Sequence, residues 1–406
     1  MRLLTIVLVM FALFLVNADG PRVGEEERRV WTPLVLALIA GAMLLRLPIL
    51  LRVDTRVVLS YPSLLFLGYL ICITVGQFWS VAPTEGKGHI LLIWLFYLTA
   101  ISLASEPVNR TVLVFLTASG VVFFASWTVL AAGLRWALSR TDIWRLKGVM
   151  LHEQMLGFVC IMAIIMALIW MLNRHKAGVR DYRFLIGSLI LVALLTLVAT
   201  KVRAFSAYFL FIVFVIFFFQ VRGPSRFYVL AGGVISAGGL YILMDVLLPL
   251  LSRGEQDETL SGRTLVWEVT FNQIVDRPFT GFGFATYPGY FEKLWGAWSP
   301  AHAHNLWLQV WFENGVVAMI LFGGALIGFL INGYRFQRQT GLLSNSFFLA
   351  LFCLLASVTS VIVGAKMGTF YGMLLLLYFQ EENMRVQLGT ADAANRRSFN
   401  RLSFQS

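Results

Sequence analysis

The sequence predicts an all-α protein that crosses a membrane about twelve times, and three observations support this fold class. Hydrophobic residues make up 59% of the chain, and the mean hydropathy is +0.78. Only 13% of the residues are charged, against about 25% in soluble globular proteins. The apolar residues also fall into runs of about 20 residues, the length of a membrane-spanning helix. This composition excludes an ordinary soluble enzyme, a disordered chain and a coiled coil.

The apolar runs are predicted to be helices because a membrane span must satisfy its own backbone hydrogen bonds, and the runs lack the alternation of barrel strands. The first run, which follows Arg2, also fits a cleaved signal peptide, and cleavage would leave eleven spans. The predicted spans are 3–18, 31–51, 58–79, 88–105, 110–134, 148–172, 182–200, 203–220, 226–251, 305–332, 344–364 and 367–380.

The run from Phe184 to Phe219 is too long for one span. At 1.5 Å per residue, a single helix of this length would extend well beyond a hydrocarbon core of ~30 Å. The run is interrupted only by Lys201 and Arg203. The sequence therefore predicts two helices joined by a tight turn at Lys201-Val202-Arg203.

Only one connection between the spans, residues 252–304, is long enough to fold.

The distribution of Lys and Arg does not fix the orientation of the chain. With both termini inside, 17 of these residues lie on the inner side and 15 on the outer side, and this difference is too small to decide. The predicted organisation is spans one to nine in 1–251, an outer loop at 252–304, the last three spans in 305–380, and a disordered inner tail at 381–406.

Two short helices are expected in the outer loop and at its end. Ser261 is a suitable N-cap for a helix that ends near Arg277-Pro278. Between the helices lies Gly281-Phe282-Gly283, a stretch rich in turn residues. The second helix is predicted to begin near Pro300 and to run through His304 into span ten.

The motifs of metal and cofactor chemistry are missing from the sequence. It contains no Walker A loop, GxSxG, HExxH, CxxC or Asp-x-Asp. His302 and His304 are two residues apart, so on a helix they would point about 200° away from each other and could not share one ion. No metal site, no cofactor and no nucleic-acid partner are therefore expected. The three cysteines lie inside separate apolar runs and are interpreted as core residues: Cys72, Cys160 and Cys353.

Cations near the outer membrane face are the strongest candidates for a functional site, because charges beside hydrocarbon are costly and are usually paired or functional. For Arg253 and Lys366, contact with lipid headgroups is an equally simple explanation. Arg203 lies inside the longest apolar run, and Arg263 stands at a predicted helix start that already favours an anion. Two guanidinium groups match a diphosphate without a metal.

Several motifs in one order resemble the O-antigen ligase family, which includes O-antigen ligases, O-antigen and exopolysaccharide polymerases, and protein O-oligosaccharyltransferases. Phe78-Trp79-Ser80 and the turn from Thr200 to Arg203 also look like landmarks of this family. The more specific motifs occupy residues 261–315: Ser261-Gly262-Arg263 with Trp267, Arg277-Pro278, Gly281-Phe282-Gly283, His302-Ala303-His304-Asn305 with Leu308-Gln309, and Glu313-Asn314-Gly315.

The resemblance implies a metal-independent membrane glycosyltransferase of the bacterial inner membrane, with its active site facing the periplasm. The donor would be an undecaprenyl-diphosphate-linked glycan, and the acceptor would be a saccharide or a glycolipid. The protein would also contact membrane lipids. Carried over to this chain, Arg263 and Arg203 would hold the diphosphate, and His304 would serve the acceptor hydroxyl. The turn departs from the commoner Ser-Arg form of the family, so Lys201 is a second candidate for the role of Arg203.

Three further residues are substrate-binding candidates. Arg253 lies at the same membrane face, and His302 beside His304 fits either substrate binding or a structural hydrogen bond. Glu313 fits two roles equally, contact with substrate or attachment of the loop to span ten.

Three functions remain open on sequence alone. A polymerase would join lipid-linked repeat units, a ligase would transfer a finished glycan to the lipid A core, and a flippase would move the lipid-linked glycan across the membrane. The HAHN form with a compact loop slightly favours a polymerase. A transporter would hold its substrate near the bilayer midplane, whereas this chain concentrates its polar groups in one outer loop.

Overall fold

The computed structural model describes residues 2–15, 28–139, 145–150, 152–177, 182–221, 263–295, 302–358 and 368–403, with a few isolated positions between them. Within these ranges the chain is helical and contains no strand, only an isolated bridge between Leu138 and Leu146. The helices are α1 (Arg2–Leu15), α2 (Arg28–Leu50), α3 (Thr55–Val58), α4 (Tyr61–Val75), α5 (Pro83–Ser102), α6 (Val108–Ala131), α7 (Glu153–Ala177), α8 (Arg183–Thr200), α9 (Arg203–Gln220), α10 (Arg263–Asp276), α11 (Tyr287–Trp295), α12 (Leu306–Thr340), α13 (Asn345–Ala356) and α14 (Thr369–Ser403).

Six of the described helices contain a stretch long and apolar enough to cross a membrane. This confirms an all-helical protein with several membrane spans, while the count of about twelve stays a prediction. Helices α1 and α13 and the apolar parts of α5 and α9 are shorter. The ninth predicted span, 226–251, lies outside the described residues except for Tyr228. The six stretches are Pro33–Leu50, Tyr61–Trp79, Val108–Ala131, Glu153–Arg174, Arg183–Thr200 and Leu306–Thr340.

The predicted tight turn between α8 and α9 is confirmed. Helix α8 ends at Thr200, Lys201 has a left-handed φ of 52°, and α9 begins at Arg203. The backbone N–H of Leu146 donates to the carbonyl of Ala199 at 3.0 Å. A side chain at Gly157 of α7 would touch Val202 at 3.2 Å. The turn is therefore packed against the first turns of α7.

The helices that carry the site are anchored in the centre of the bundle. Helix α7 is the most deeply buried candidate span, and α12 packs along α4. At Gly328, a Cβ would come within 2.7 Å of the Pro62 ring, and at Gly324 within 3.0 Å of Leu65. Small residues let membrane helices approach each other in this way, so α12 has a firm support beneath the site.

Two predicted boundaries were wrong. The disordered tail was expected from Glu381, but α14 continues through this position to Ser403. Glu381 and Glu382 are each only 2% exposed. The polar sequence resembles a solvated tail, but the carboxylates of Glu381 and Glu382 are buried partners of neighbouring helices.

The second helix of the loop was predicted to begin near Pro300 and to include His304. Instead, α12 begins at Leu306, with Asn305 as its N-cap. The cause is local, since the side chain of Asn305 satisfies the first free N–H groups of the helix. The first helix, α10, ends at Asp276 as predicted, while its proposed cap Ser261 lies outside the described residues.

Candidate functional site

A small aromatic core lies beside the first turns of α12 and holds α10 and α11 together. Its members come from both short helices, the segment between them and α12 itself. The rings of Phe282 and Phe312 are stacked with centroids 4.7 Å apart, and the hydroxyls of Thr270 and Tyr287 are 2.7 Å apart. The fully enclosed members are Ile274, Phe282, Tyr287, Phe291, Ala303 and Phe312.

The Gly281-Phe282-Gly283 segment inserts at a break in α12. Gly315 interrupts the helix with φ 79° and ψ 170°, which leaves nearby carbonyls without their usual partners. The N–H of Phe282 donates to the carbonyl of Phe312 at 2.9 Å, and the N–H of Gly283 donates to that of Glu313 at 2.7 Å. The motif is therefore a structural support that joins the loop to α12.

The corner between α4 and α5 supports the same segment from the other side. The indole N–H of Trp79 donates to the carbonyl of Thr280 at 3.0 Å. The N–H of Val81 donates to the carbonyl of Phe282 at 2.9 Å. Gly283, with φ 108°, lies directly against Ser80. The Phe78-Trp79-Ser80 motif thus stabilises the loop through Trp79 and Ser80.

Asn305 determines where His304 lies. Its Oδ1 accepts hydrogen bonds from the N–H groups of Trp307 and Leu308 at 2.9 and 3.1 Å. His304, the residue before it, has a φ of 53°, a left-handed conformation that is uncommon outside glycine. His304 therefore lies on a sharply turned loop in front of α12.

Ala303, between the two histidines, is held from two directions. Its N–H donates to Oε1 of Gln309 at 2.8 Å, and its carbonyl accepts from the indole of Trp267 at 2.9 Å. Nε2 of Gln309 donates to Oε1 of Glu313 at 2.6 Å, and Glu313 is only 1% exposed. Glu313 thus holds the amide of Gln309, which in turn holds the histidine loop against α12, and this supports the second of the two roles that its sequence position allowed, while contact with substrate stays a proposal.

His304 is held as a neutral imidazole. Burial, the charge of Arg263 and, less strongly, His152 lower its pKa to about 4. Removal of water and nearby positive charge both disfavour the imidazolium form. At neutral pH the ring can therefore accept a proton or a hydrogen bond.

His302 packs against His304, with ring centroids 4.1 Å apart. Its Nδ1 accepts the backbone N–H of His304 at 3.3 Å. This bond supports the structural role among the two that the sequence left open, and substrate binding by His302 stays a proposal.

Arg263 is the first residue of α10 and is half-buried. Burial lowers its pKa, and Tyr208 of α9 lies close enough to oppose that shift electrostatically. The starts of α9 and α10 therefore approach each other beside His304. Lys201 is exposed at the end of α8, and Arg203 is the first residue of α9.

Some sequence-based expectations cannot be placed in the structure. The side chain of Arg203 lies outside the described residues, as do the whole of Arg253 and Lys366. Their roles in holding an anion stay predictions.

Residues at the start of α7 were missed by sequence reasoning. His152, which precedes α7, lies near enough to lower the pKa of His304. Nδ1 of His152 is 3.4 Å from Glu153, and a guanidinium nitrogen of Arg145 is 3.1 Å from the same carboxylate. The one sequence feature that could have indicated these residues was the His152-Glu153 pair near the start of the predicted span 148–172.

A metal centre is not assembled from the part of the chain that the structure describes. Within it, no three His, Cys, Asp or Glu side chains are grouped closely enough to hold an ion. The cysteines Cys72, Cys160 and Cys353 are free thiols.

Comparison with known proteins agrees with these motifs. The family model described as O-antigen ligase matches residues 188–323. No curated protein matches the chain. The matched range extends from α8 through the break in α12, so it contains Arg263, His304 and Glu313. Residues 188–323, which carry most of the candidate site, are thus similar to the O-antigen ligase family.

Proposed function

We propose that this protein transfers an undecaprenyl-diphosphate-linked glycan to a sugar hydroxyl at the periplasmic face of the bacterial inner membrane, without a metal. The family supports a membrane enzyme of the O-antigen ligase or polymerase type.

The observation that carries this proposal is the proximity of Arg263 to His304. A cation and a neutral imidazole lie close enough for the charge of Arg263 to lower the pKa of His304. The reaction needs these two groups, because a diphosphate leaves as an anion while a hydroxyl must lose a proton. Both groups belong to half-buried side chains at one end of the bundle.

In the proposed reaction, the oxygen of the acceptor hydroxyl attacks the anomeric carbon of the donor sugar. His304 takes the hydroxyl proton as the new carbon–oxygen bond forms. The bond between that carbon and the diphosphate oxygen breaks, and its electron pair leaves with the diphosphate. Arg263, with Arg203 or Lys201, would stabilise this negative charge.

Binding of the donor would also prepare the base. In the free protein, the charge of Arg263 contributes to the low pKa of His304. A diphosphate bound to Arg263 would compensate this charge, and the pKa of His304 would rise. The imidazole would then be a better proton acceptor in the complex than in the free enzyme.

The acceptor decides between a polymerase and a ligase. We favour a polymerase that extends lipid-linked repeat units of an exopolysaccharide or O-antigen. The alternative is a ligase that joins the glycan to lipid A core. Both use the same bond chemistry, so deletion of the gene must separate them. Loss of a polymerase leaves single repeats, whereas loss of a ligase leaves long chains on the lipid carrier.

The direct test of the site uses Arg263→Ala and His304→Ala in the full chain. Both variants should abolish glycan transfer while their abundance in the membrane stays unchanged. Arg338→Ala is a matched control, because Arg338 is exposed near the far end of α12. Normal transfer by both site variants would contradict the proposal. Transfer in the presence of EDTA should equal that in its absence, and activity that returns only with an added divalent cation would refute metal independence.

A further inference from the structure

Three arginines converge on one buried carboxylate at the end of the bundle opposite to the candidate site. The carboxylate belongs to Glu106, between α5 and α6. Arg46 of α2 donates to it at 2.5 Å, Arg110 of α6 at 3.2 Å, and Nε of Arg2 in α1 lies 3.7 Å away. Three helices therefore bring their positive charges to a single point.

This cluster carries more positive charge than its carboxylate can balance. Three guanidinium groups surround one carboxylate, so the cluster has a net charge of two positive units. The side chains of Arg46 and Glu106 are 2% and 0% exposed, and Nε and Nη1 of Arg46 have no hydrogen-bond partner. Excess charge at a membrane boundary is costly unless an anion compensates it. The side chains of Arg2 and Arg110 are 71% and 45% exposed, so an anion can reach them.

An apolar groove lies on two of the helices that supply the cluster, and Leu45 of its lining directly precedes Arg46. It has a volume of about 460 Å³ and lies between α1 and α2, whose residues also supply Arg2 and Arg46. No atom lies within 4 Å of where a Cβ at Gly41 would stand. Among the described residues, the groove is thus open beside this glycine. Its lining residues are Leu8, Ala37, Leu38, Gly41, Leu44 and Leu45.

We propose that this is a binding site for an anionic phospholipid of the leaflet at that end. The headgroup phosphate contacts Arg2 and Arg110, and one acyl chain lies in the groove along Gly41. Basic pockets between membrane helices bind such headgroups, and guanidinium groups match phosphate oxygens. A second copy of the chain is a poorer occupant, because in a symmetric pair it would bring the same excess of positive charge.

The charge arm of the test uses native mass spectrometry on the full chain in detergent. The probes are phosphatidylglycerol and phosphatidylcholine with identical acyl chains. We expect retention of phosphatidylglycerol and at least about tenfold weaker binding of it by Arg2→Gln/Arg110→Gln, since each lost cation weakens attraction to anionic lipid. Arg56→Gln is the control, because Arg56 is exposed but already bonded twice to Asp54. Equal binding of both lipids, or an unchanged affinity of the double variant, would overturn the proposal.

The groove arm uses Gly41→Leu, which fills the groove with a side chain that meets no other atom at its base. Gly187→Leu on α8 is the matched control, because a Cβ there is equally free. We expect Gly41→Leu to weaken phosphatidylglycerol binding while the control does not, with both variants as thermally stable as the parent. If Gly41→Leu instead leaves lipid binding intact and dissociates a dimer, the groove is an interface between copies and the lipid site is refuted.

Discussion

Gln309 and Glu313, one turn apart on α12, are joined by a hydrogen bond of 2.6 Å. Oε1 of the Gln309 side chain accepts a hydrogen bond from the backbone N–H of Ala303 at 2.8 Å. The carbonyl of Glu313 also accepts the N–H of Gly283 at 2.7 Å. This pair therefore connects the histidine loop and the glycine segment to the point where α12 is broken, and it holds the residue directly before His304.

Gln309→Leu should lower glycan transfer more than it lowers folding. Leucine keeps the volume but leaves the N–H of Ala303 and the carboxylate of Glu313 without this partner, at a cost of about 1–3 kcal/mol for a buried polar group. Since Ala303 immediately precedes His304, we expect kcat to fall while KM for the donor changes little. Steady-state kinetics and the thermal midpoint in detergent measure the two effects.

Gln337→Leu is the matched control for this change. Gln337 lies on the same helix, and its Nε2 has no hydrogen-bond partner. It should behave like the parent in both assays. If Gln309→Leu also kept full activity, the bond between Gln309 and Glu313 would not position the histidine loop.

Gly315→Ala should be strongly destabilising. Alanine at φ 79° is strained, at about 1–3 kcal/mol, and its Cβ would collide with the carbonyl of Phe279. We expect a lower thermal midpoint and loss of transfer. Gly41→Ala is the control, because a Cβ there meets nothing within 4 Å. A Gly315→Ala variant with the thermal midpoint of the parent would show that the break in α12 does not need glycine.

Most helices of the fold could be predicted from the apolar runs and their length. The turn at Lys201 was predictable because no single span could accommodate the whole run. The error in placing the start of a disordered tail at Glu381 could not be avoided from the sequence. The carboxylate of Glu381 accepts hydrogen bonds from Ser344 and Ser346, which are far away in the sequence. Local polarity contains no information about such partners.

The site was predictable in its residue types but not in its supports. Arg263 could be chosen because a charge beside hydrocarbon is chemically distinctive, and His304 because its motif resembles that of the O-antigen ligase family. The contribution of Gln309 could not be chosen, since a glutamine on an apolar helix has many possible partners. His152 was missed for a related reason, because it approaches His304 only through the packing of α7.

Glu381→Ala should destabilise the bundle at the end opposite to the candidate site. The carboxylate of Glu381 accepts the N–H of Asn345 at 2.7 Å and the hydroxyl of Ser344 at 2.6 Å, so it caps α13 from α14. Its removal leaves these donors buried, at about 1–3 kcal/mol or more. Differential scanning fluorimetry in detergent should show a lower midpoint.

Truncation gives an independent measure of the same contact. A chain that ends after residue 390 keeps Glu381 and should have the same thermal midpoint as the parent. A chain that ends after Gln380 lacks Glu381 and should have a lower thermal midpoint. Equal midpoints for the two truncations would show that the buried start of the tail adds no stability.

Arg263→Gln should raise the pKa of His304. The pKa is about 4 in the parent because of burial first and the charge of Arg263 second, so removal of that charge should move it towards the ordinary value of about 6.5. Imidazole ¹³Cε1 shifts of the labelled protein can follow the titration. The chain has 5 histidines, and His304→Gln identifies the relevant signal. Lys293→Gln, at the exposed end of α11, is the control and should leave the titration unchanged.

The same shift makes stability depend on pH, with a defined sign. His304 stays neutral in the folded protein down to about pH 4, whereas an unfolded chain protonates it near pH 6.5. Between these values the unfolded state binds more protons, so stability falls as the pH is lowered. Arg263→Gln raises the folded-state pKa of His304 and so narrows the pH range in which stability changes. His304→Gln removes the contribution of this imidazole to the pH dependence of stability. The thermal midpoint of the parent should therefore decrease more steeply from pH 6.5 to pH 4.5 than that of His304→Gln. Parallel curves for the two proteins would show that the folded protein does not hold this imidazole neutral.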